Sequence, residues 1–301
     1  VAQARARATD PCSGNRPYHG EPIALPASVD RDPFFSSIYE AQFKPLPNDY
    51  GKMDAAKIAH VRENLQTSRW LPPQESGTRA SCALPYELTA NGVLSDDRKR
   101  FVLELAAGNA VFGDRASGAP FRVYAPGPVR PALLGILDFE KGRAWDYAVA
   151  AGDQLADSYS LTDFEAGQYH LRVDGPNGFF REFRGSADDP LLTVKLVSRS
   201  VGNILSGDAE VQLTNRDPHR PLSVFIEQLT YSPQSHVVKL EPAGGRLAGA
   251  SITIPSSASY GWHDVRIRVR EATEYEQRFA GRIETGKESL SDPNMAKVER
   301  A

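Results

Sequence analysis

From about residue 83 onward, apolar and polar residues alternate with a period of two. Phe101, Leu103 and Leu105 alternate with Val102 and Glu104. Trp145, Tyr147 and Val149 follow the same rule, as do Tyr169, Leu171 and Val173, and later His263, Val265, Ile267 and Val269. Successive side chains of a strand point to opposite sheet faces, so this pattern predicts half-buried strands. Clusters of Gly, Pro, Asn and Asp, such as Gly175-Pro176-Asn177-Gly178, fall between them and predict turns. No helical segment of useful length separates the strands, which argues against a parallel α/β sheet and for antiparallel sandwiches.

The N-terminal quarter has a different texture. Pro11, Pro17, Pro22, Pro26, Pro33, Pro45 and Pro47 punctuate residues 10–50. Proline removes the backbone donor that a regular element needs, so an irregular segment wrapped over another surface is expected there. One helix should follow: Asp54 can cap it, Ile58, Val61 and Leu65 recur at helical spacing, and Pro72-Pro73 closes it. A short linker, residues 74–80, leads into the strands.

The chain also resembles itself. Gly167 to Gly185 reads GQYHLRVDGPNGFFREFRG, and Gly261 to Gly281 reads GWHDVRIRVREATEYEQRFAG. Leu171-Arg172-Val173 matches Val265-Arg266-Ile267, Phe179 matches Tyr275, Phe183 matches Phe279, and Gly185 matches Gly281. Upstream, Phe121-Arg122-Val123-Tyr124 lies over Leu222-Ser223-Val224-Phe225, and Gly152 to Leu155 over Gly244 to Leu247. An offset near 95 residues suits one small β-sandwich per copy. The expected fold is all-β: two tandem small antiparallel β-sandwich domains preceded by an irregular segment with one helix. The expected boundaries are 1–75, 76–200, 201–290, and a tail over 291–301.

Composition narrows the function classes. Hydrophobic residues at 41% and charged residues at 24% fit a globular chain and not a disordered one. A net charge of −3 argues against a nucleic-acid binder or a protein held on anionic lipid by charge alone. No run of 18 apolar residues occurs, so no transmembrane helix is expected. Residues 1–10 lack the apolar stretch of a signal peptide, so the chain reads as cytosolic or as a mature or internal piece of something longer. Cys12 and Cys82 are either two separate thiols or one bridge.

Candidate chemistry is sparse. His19, His60, His170, His219, His236 and His263 show no metal-ligand spacing, and neither a G-x-S-x-G elbow nor a P-loop occurs. Asp188-Asp189 and Asp96-Asp97 read as solvated or turn-forming loop pairs. His170 and His263 read as satisfied strand histidines. No asparagine carries a glycan acceptor pattern.

Several uncommon strings occur in a telling order: Cys82-Ala83-Leu84-Pro85-Tyr86-Glu87-Leu88, Ala107-Gly108-Asn109, Ala119-Pro120-Phe121-Arg122-Val123-Tyr124, Gly175-Pro176-Asn177-Gly178-Phe179, Phe183-Arg184-Gly185, residues 278–286 and Ser291-Asp292-Pro293. Over roughly residues 36–295 the chain resembles the C-terminal part of the bacterial phosphocholine-preferring phospholipases C, relatives of certain bacterial acid phosphatases. The resemblance implies hydrolysis of phosphatidylcholine or sphingomyelin by the parent enzyme, with release of phosphocholine, in the periplasm or outside the cell. It places a hydroxyl nucleophile and a metal ion in a large N-terminal catalytic domain, where a metal site of acidic residues begins with a Glu-Asn-Arg-Ser-Phe-Asp-His type string. Here Glu63-Asn64 is followed by Leu65-Gln66, so the string is not matched and no catalytic residue or metal ligand is carried over. The expected partners are that catalytic domain and a phospholipid surface, and the expected role of this chain is structural or one of shaping substrate access. An oxidising compartment would favour the Cys12–Cys82 bridge. The rival class is a β-sandwich module that binds a membrane, a glycan or a protein. For that class Phe179 and Phe180, beside a Gly-rich turn, are the candidate lipid contacts. Packing of one against the core and the other on a neighbouring strand is the alternative.

Overall fold

The computed structural model describes residues 53–63, 77–130, 139–202 and 204–294. The chain divides into two compact units, Val1–Asn64 and Leu65–Ala301. In the first, helix α1 spans Ala55–Glu63. The Asp54 carboxylate accepts the Lys57 backbone N–H at 2.8 Å, the N-cap that the sequence predicts. No residue of α1 is buried. The proline-rich stretch 10–50, Leu65 and the Pro72-Pro73 stop lie outside the described residues.

The second unit is built from strands. A first set comprises β2 (Leu88–Leu94), β3 (Arg100–Ala107), β4 (Ala119–Val129), β5 (Glu140–Val149), β6 (Gln154–Ser160), β7 (Tyr169–Asp174) and β8 (Phe180–Gly185). A second comprises β9 (Leu192–Val201), β10 (Ile204–Asn215), β11 (Leu222–Gln228), β12 (Gln234–Leu240), β13 (Gly249–Ile254), β14 (Trp262–Val269) and β15 (Ala272–Arg282). Two short strands, β1 (Ala80–Ser81) and β16 (Ser289–Leu290), pair with each other and bring the two ends of this unit together.

The alternating positions face inward as the period of two requires. Phe101, Leu103 and Leu105 on β3, Tyr169, Leu171 and Val173 on β7, and Val265, Ile267 and Val269 on β14 are all buried. On β5 only Val149 is fully buried; Trp145 and Tyr147 are half-buried, with the Trp145 ring packed edge-on against Tyr159 at 5.0 Å.

Sheet order makes the kinship of the two sets visible. In the first set, β2-β3-β6 form one sheet and β5-β4-β7-β8 lie side by side in another. In the second set, β9-β10-β13 and β12-β11-β14-β15 repeat that order strand for strand. All pairings are antiparallel. Leu171 pairs with Phe183, and Val265 pairs with Phe279, at corresponding positions of corresponding hairpins. The upstream match needs a correction of register. Val123 pairs with Val173 and Ile226 pairs with Ile267, so Val123 corresponds to Ile226 and not to Val224. A slip of two keeps the same sheet face, which is why the sequence pattern tolerated it.

From the sequence the two sandwiches are expected as tandem domains. In the structure β8 and β15 pair, and the two four-stranded sheets become one continuous sheet of eight strands. An edge strand leaves a row of backbone N–H and C=O groups unpaired, and joining two such edges satisfies both. In this register Phe183 faces Gln277, Glu182 faces Arg278, and Arg181 faces Phe279. Phe183 packs on Phe101 at 5.4 Å and edge-on against Phe279 at 6.2 Å, so one buried apolar cluster runs through both sets.

Candidate functional site

A cavity of about 750 Å³ opens where β2 approaches β9, above the β8–β15 joint. Both strand sets line it. The first contributes Tyr86 to Thr89, Asn177, Phe179 and Arg181; the second contributes Ser198, Ile204, His263, Arg282 and Glu284.

Arg181 sits on β8 at the same parity as Phe179 and Phe183, and it is 4% exposed. A charged side chain on an inward position needs compensation. Its Nη1 donates to the backbone carbonyls of Phe180 and Ala280, both at 2.8 Å. Its guanidinium lies 4.1 Å from the centroid of the Phe179 ring and 5.2 Å from that of Phe279, so two π faces share the charge. No carboxylate among the described residues pairs with it, and burial draws its pKa down to about 9.

The Arg282 side chain is 2% exposed. Its Nη1 donates to the Ser81 hydroxyl at 3.1 Å and lies 3.4 Å from Glu284 Oε1. Burial pushes the Glu284 carboxyl up, against the opposing pull of Arg282, Asn177 and the Leu84 backbone. The Gly175-Pro176-Asn177-Gly178 turn supplies Asn177, whose amide donates to Glu284 Oε1 at 2.6 Å. Asn177 stands at φ 57°, a left-handed conformation that asparagine tolerates better than most residues. His263 is 3% exposed, and burial together with Arg181 lowers its pKa to about 3, so it is neutral. Its Nδ1 faces the Gly261 carbonyl at 3.4 Å. Three buried polar atoms of this group, Arg282 Nε, Glu284 Oε2 and His263 Nε2, have no hydrogen-bond partner among the described residues.

The sequence-stated candidates are scattered relative to this cleft. Phe179 is 8% exposed, lines the cleft, and packs edge-on against Phe121 at 5.7 Å. Phe180 is half-buried, with the Arg278 guanidinium 5.8 Å from its ring centroid. Cys82 is exposed and Cys12 lies outside the described residues. His170 is satisfied, with Nε2 2.6 Å from Glu182 Oε1. His263 is only half satisfied, contrary to the sequence expectation. Asp189 turns out buried and not solvated: it accepts the Tyr169 hydroxyl and the Ser186 N–H. Arg181, Arg282, Glu284 and Asn177 were not singled out from sequence. One pattern pointed to Arg181: a charge at the parity of Phe179 and Phe183. Among the described residues no three His, Cys, Asp or Glu side chains converge as a metal site would need. No helix among them is long and apolar enough to cross a membrane.

Strand order, shared sheet and cleft define a tandem antiparallel β-sandwich module. Residues 80–186 match the family model described as bacterial phospholipase C, C-terminal domain. The similarity extends further. A non-hemolytic phospholipase C of Pseudomonas aeruginosa is 31% identical over 228 residues, which is 75% of this chain and 30% of that protein. A non-hemolytic phospholipase C of Burkholderia pseudomallei is 31% identical over 75% of this chain and 29% of its own length. A hemolytic phospholipase C of P. aeruginosa is 30% identical over 74% of this chain. The chain thus spans about 30% of the length of these relatives. A red sea bream transglutaminase structure overlaps 66% of the chain at a TM-score of 0.21 and 9% identity, too little to bear on the fold.

Proposed function

We propose that this chain is the C-terminal accessory region of a secreted phospholipase C that releases phosphocholine from phosphatidylcholine or sphingomyelin. The observation that carries the reading is the match of residues 80–186 to a domain named as C-terminal in bacterial phospholipases C, within a similarity that covers three quarters of the chain. The remaining 70% of a relative's length is where a nucleophile and a metal ion belong in this reading. The two strand sets are two copies of one sandwich, dividing between Gly185 and Leu192 and so earlier than the boundary at residue 200 expected from the sequence, preceded by a connection to the catalytic domain over residues 1–75. They provide a rigid platform that packs on that domain and shapes access to the lipid. The test is phosphocholine release from phosphatidylcholine liposomes. The chain alone should release none; fused behind the N-terminal portion of a phospholipase C relative it should restore release that the portion alone lacks. Metal-dependent release by the chain alone would overturn the reading.

A second reading, a lipid-binding module, is favoured by one observation: Val201 and Ile204 stand 61% and 68% exposed at the tip of the β9–β10 hairpin. Liposome co-sedimentation lost on Val201→Asp would support it, and the same loss on Phe180→Ala would extend the contact to the start of β8.

A further inference from the structure

We propose that the cleft over the β8–β15 joint is a binding site for a hydroxyl-bearing oxyanion, of which hydrogen phosphate is the simplest, held by Arg181 and Arg282. The first ground is charge. Arg181, Arg282 and Lys287 line the cleft against Glu87 and Glu284, and Glu284 already answers Arg282. Arg181 is left as a buried cation whose hydrogen-bond acceptors among the described residues are two backbone carbonyls. A buried charge is ordinarily paired, and a free guanidinium on a cavity wall is matched by an anion that enters the cavity.

The second ground is the set of unused atoms. Arg282 Nε is a buried donor without a partner; His263 Nε2 and Glu284 Oε2 are buried acceptors without one. The His263 assignment follows from its Nδ1 facing a carbonyl, which puts the ring proton on Nδ1 and leaves Nε2 bare. An oxyanion alone would serve the donors. A ligand that also carries an O–H serves donors and acceptors together, which favours hydrogen phosphate over sulfate. The walls of the cleft come from both strand sets, so the ligand would also brace one against the other.

Isothermal titration of the full chain with sodium phosphate near pH 7, at constant ionic strength, tests the site. The expected result is saturable binding that sodium chloride does not reproduce, at least tenfold weaker for sulfate, and weakened at least tenfold by Arg181→Gln. The surface variant Arg246→Gln should bind as the parent does. Ser198→Trp, at an exposed wall position, places a bulky ring in the cleft while both arginines are kept, and should abolish binding even if Arg181→Gln proves insoluble. A glycerol phosphate that competes with inorganic phosphate would assign the site to phosphate esters, and one that does not would assign it to the free ion; either agrees with the oxyanion site. No saturable binding, sulfate binding as tight as phosphate, or full affinity in a folded Ser198→Trp would overturn the proposal.

Discussion

At the scale of single residues, polarity buried in the wrong place on the pattern carries the information. Asp189 is 3% exposed, and burial raises its carboxyl to about 6 despite hydrogen bonds from Tyr169 and Ser186. A carboxyl whose folded pKa lies above its unfolded value favours the folded state in its protonated form, so the stability it contributes is present at low pH and is lost as pH rises from about 4 to about 6. The loss is on the order of 3 kcal/mol. Urea unfolding at pH values from 4 to 7 should show this decline, and Asp189→Asn should remove most of that slope. A slope unchanged in the variant would mean that other groups set the pH response. Glu182 is the opposite case. Burial pushes its carboxyl up, but hydrogen bonds from His170, Arg184 and Arg172 outweigh that and hold it well below the usual carboxylate range. It strengthens the fold at neutral pH and would weaken it only below its unfolded value of 4.5.

At the scale of elements, the β8–β15 joint is where local pattern stops being informative. Phe183 touches Phe101 of its own sandwich and Phe279 across the joint. Phe183→Ala should therefore cost about 3–5 kcal/mol, the range for a fully buried Phe, and chemical denaturation should show it as an earlier midpoint of the whole transition. A cost below about 1 kcal/mol would mean that the two sets do not lean on each other there. The strands themselves were legible in the sequence because each needs only its own alternation: Phe101 to Leu105 and Tyr169 to Val173 fall where the period of two puts them. The hairpin match between Leu171–Phe183 and Val265–Phe279 was legible for the same reason. Edge pairing was not, because Glu182 and Arg278 lie far apart in sequence and an edge strand reads the same whether its partner is solvent or another edge. The cleft was illegible as a whole, being closed by residues from both sets, although Arg181 among phenylalanines marked one wall of it.

At the scale of the molecule, a shared sheet and one apolar cluster make two sandwiches a single body. Calorimetry of the chain should show one transition for the strand region, with van't Hoff and calorimetric enthalpies agreeing. A chain cut after Pro190, between β8 and β9, would expose the β8 edge and half the cluster, and should aggregate where the intact chain stays dispersed. Two resolved transitions, or a well-folded monomeric first half, would show the halves to be independent. The register at the joint has one more implication. When Phe183 is laid on Phe279, Glu182 falls on Arg278, and these two are also cross-strand neighbours. The midpoint of the joint therefore sets a residue against its own counterpart. Two first copies would put glutamate on glutamate there, and two second copies arginine on arginine, so the backbone is arranged as for identical partners while the side chains admit only unlike ones. In this register neither half is matched by a twin of itself, so the divergence of the two copies at this one position favours the union of unlike halves.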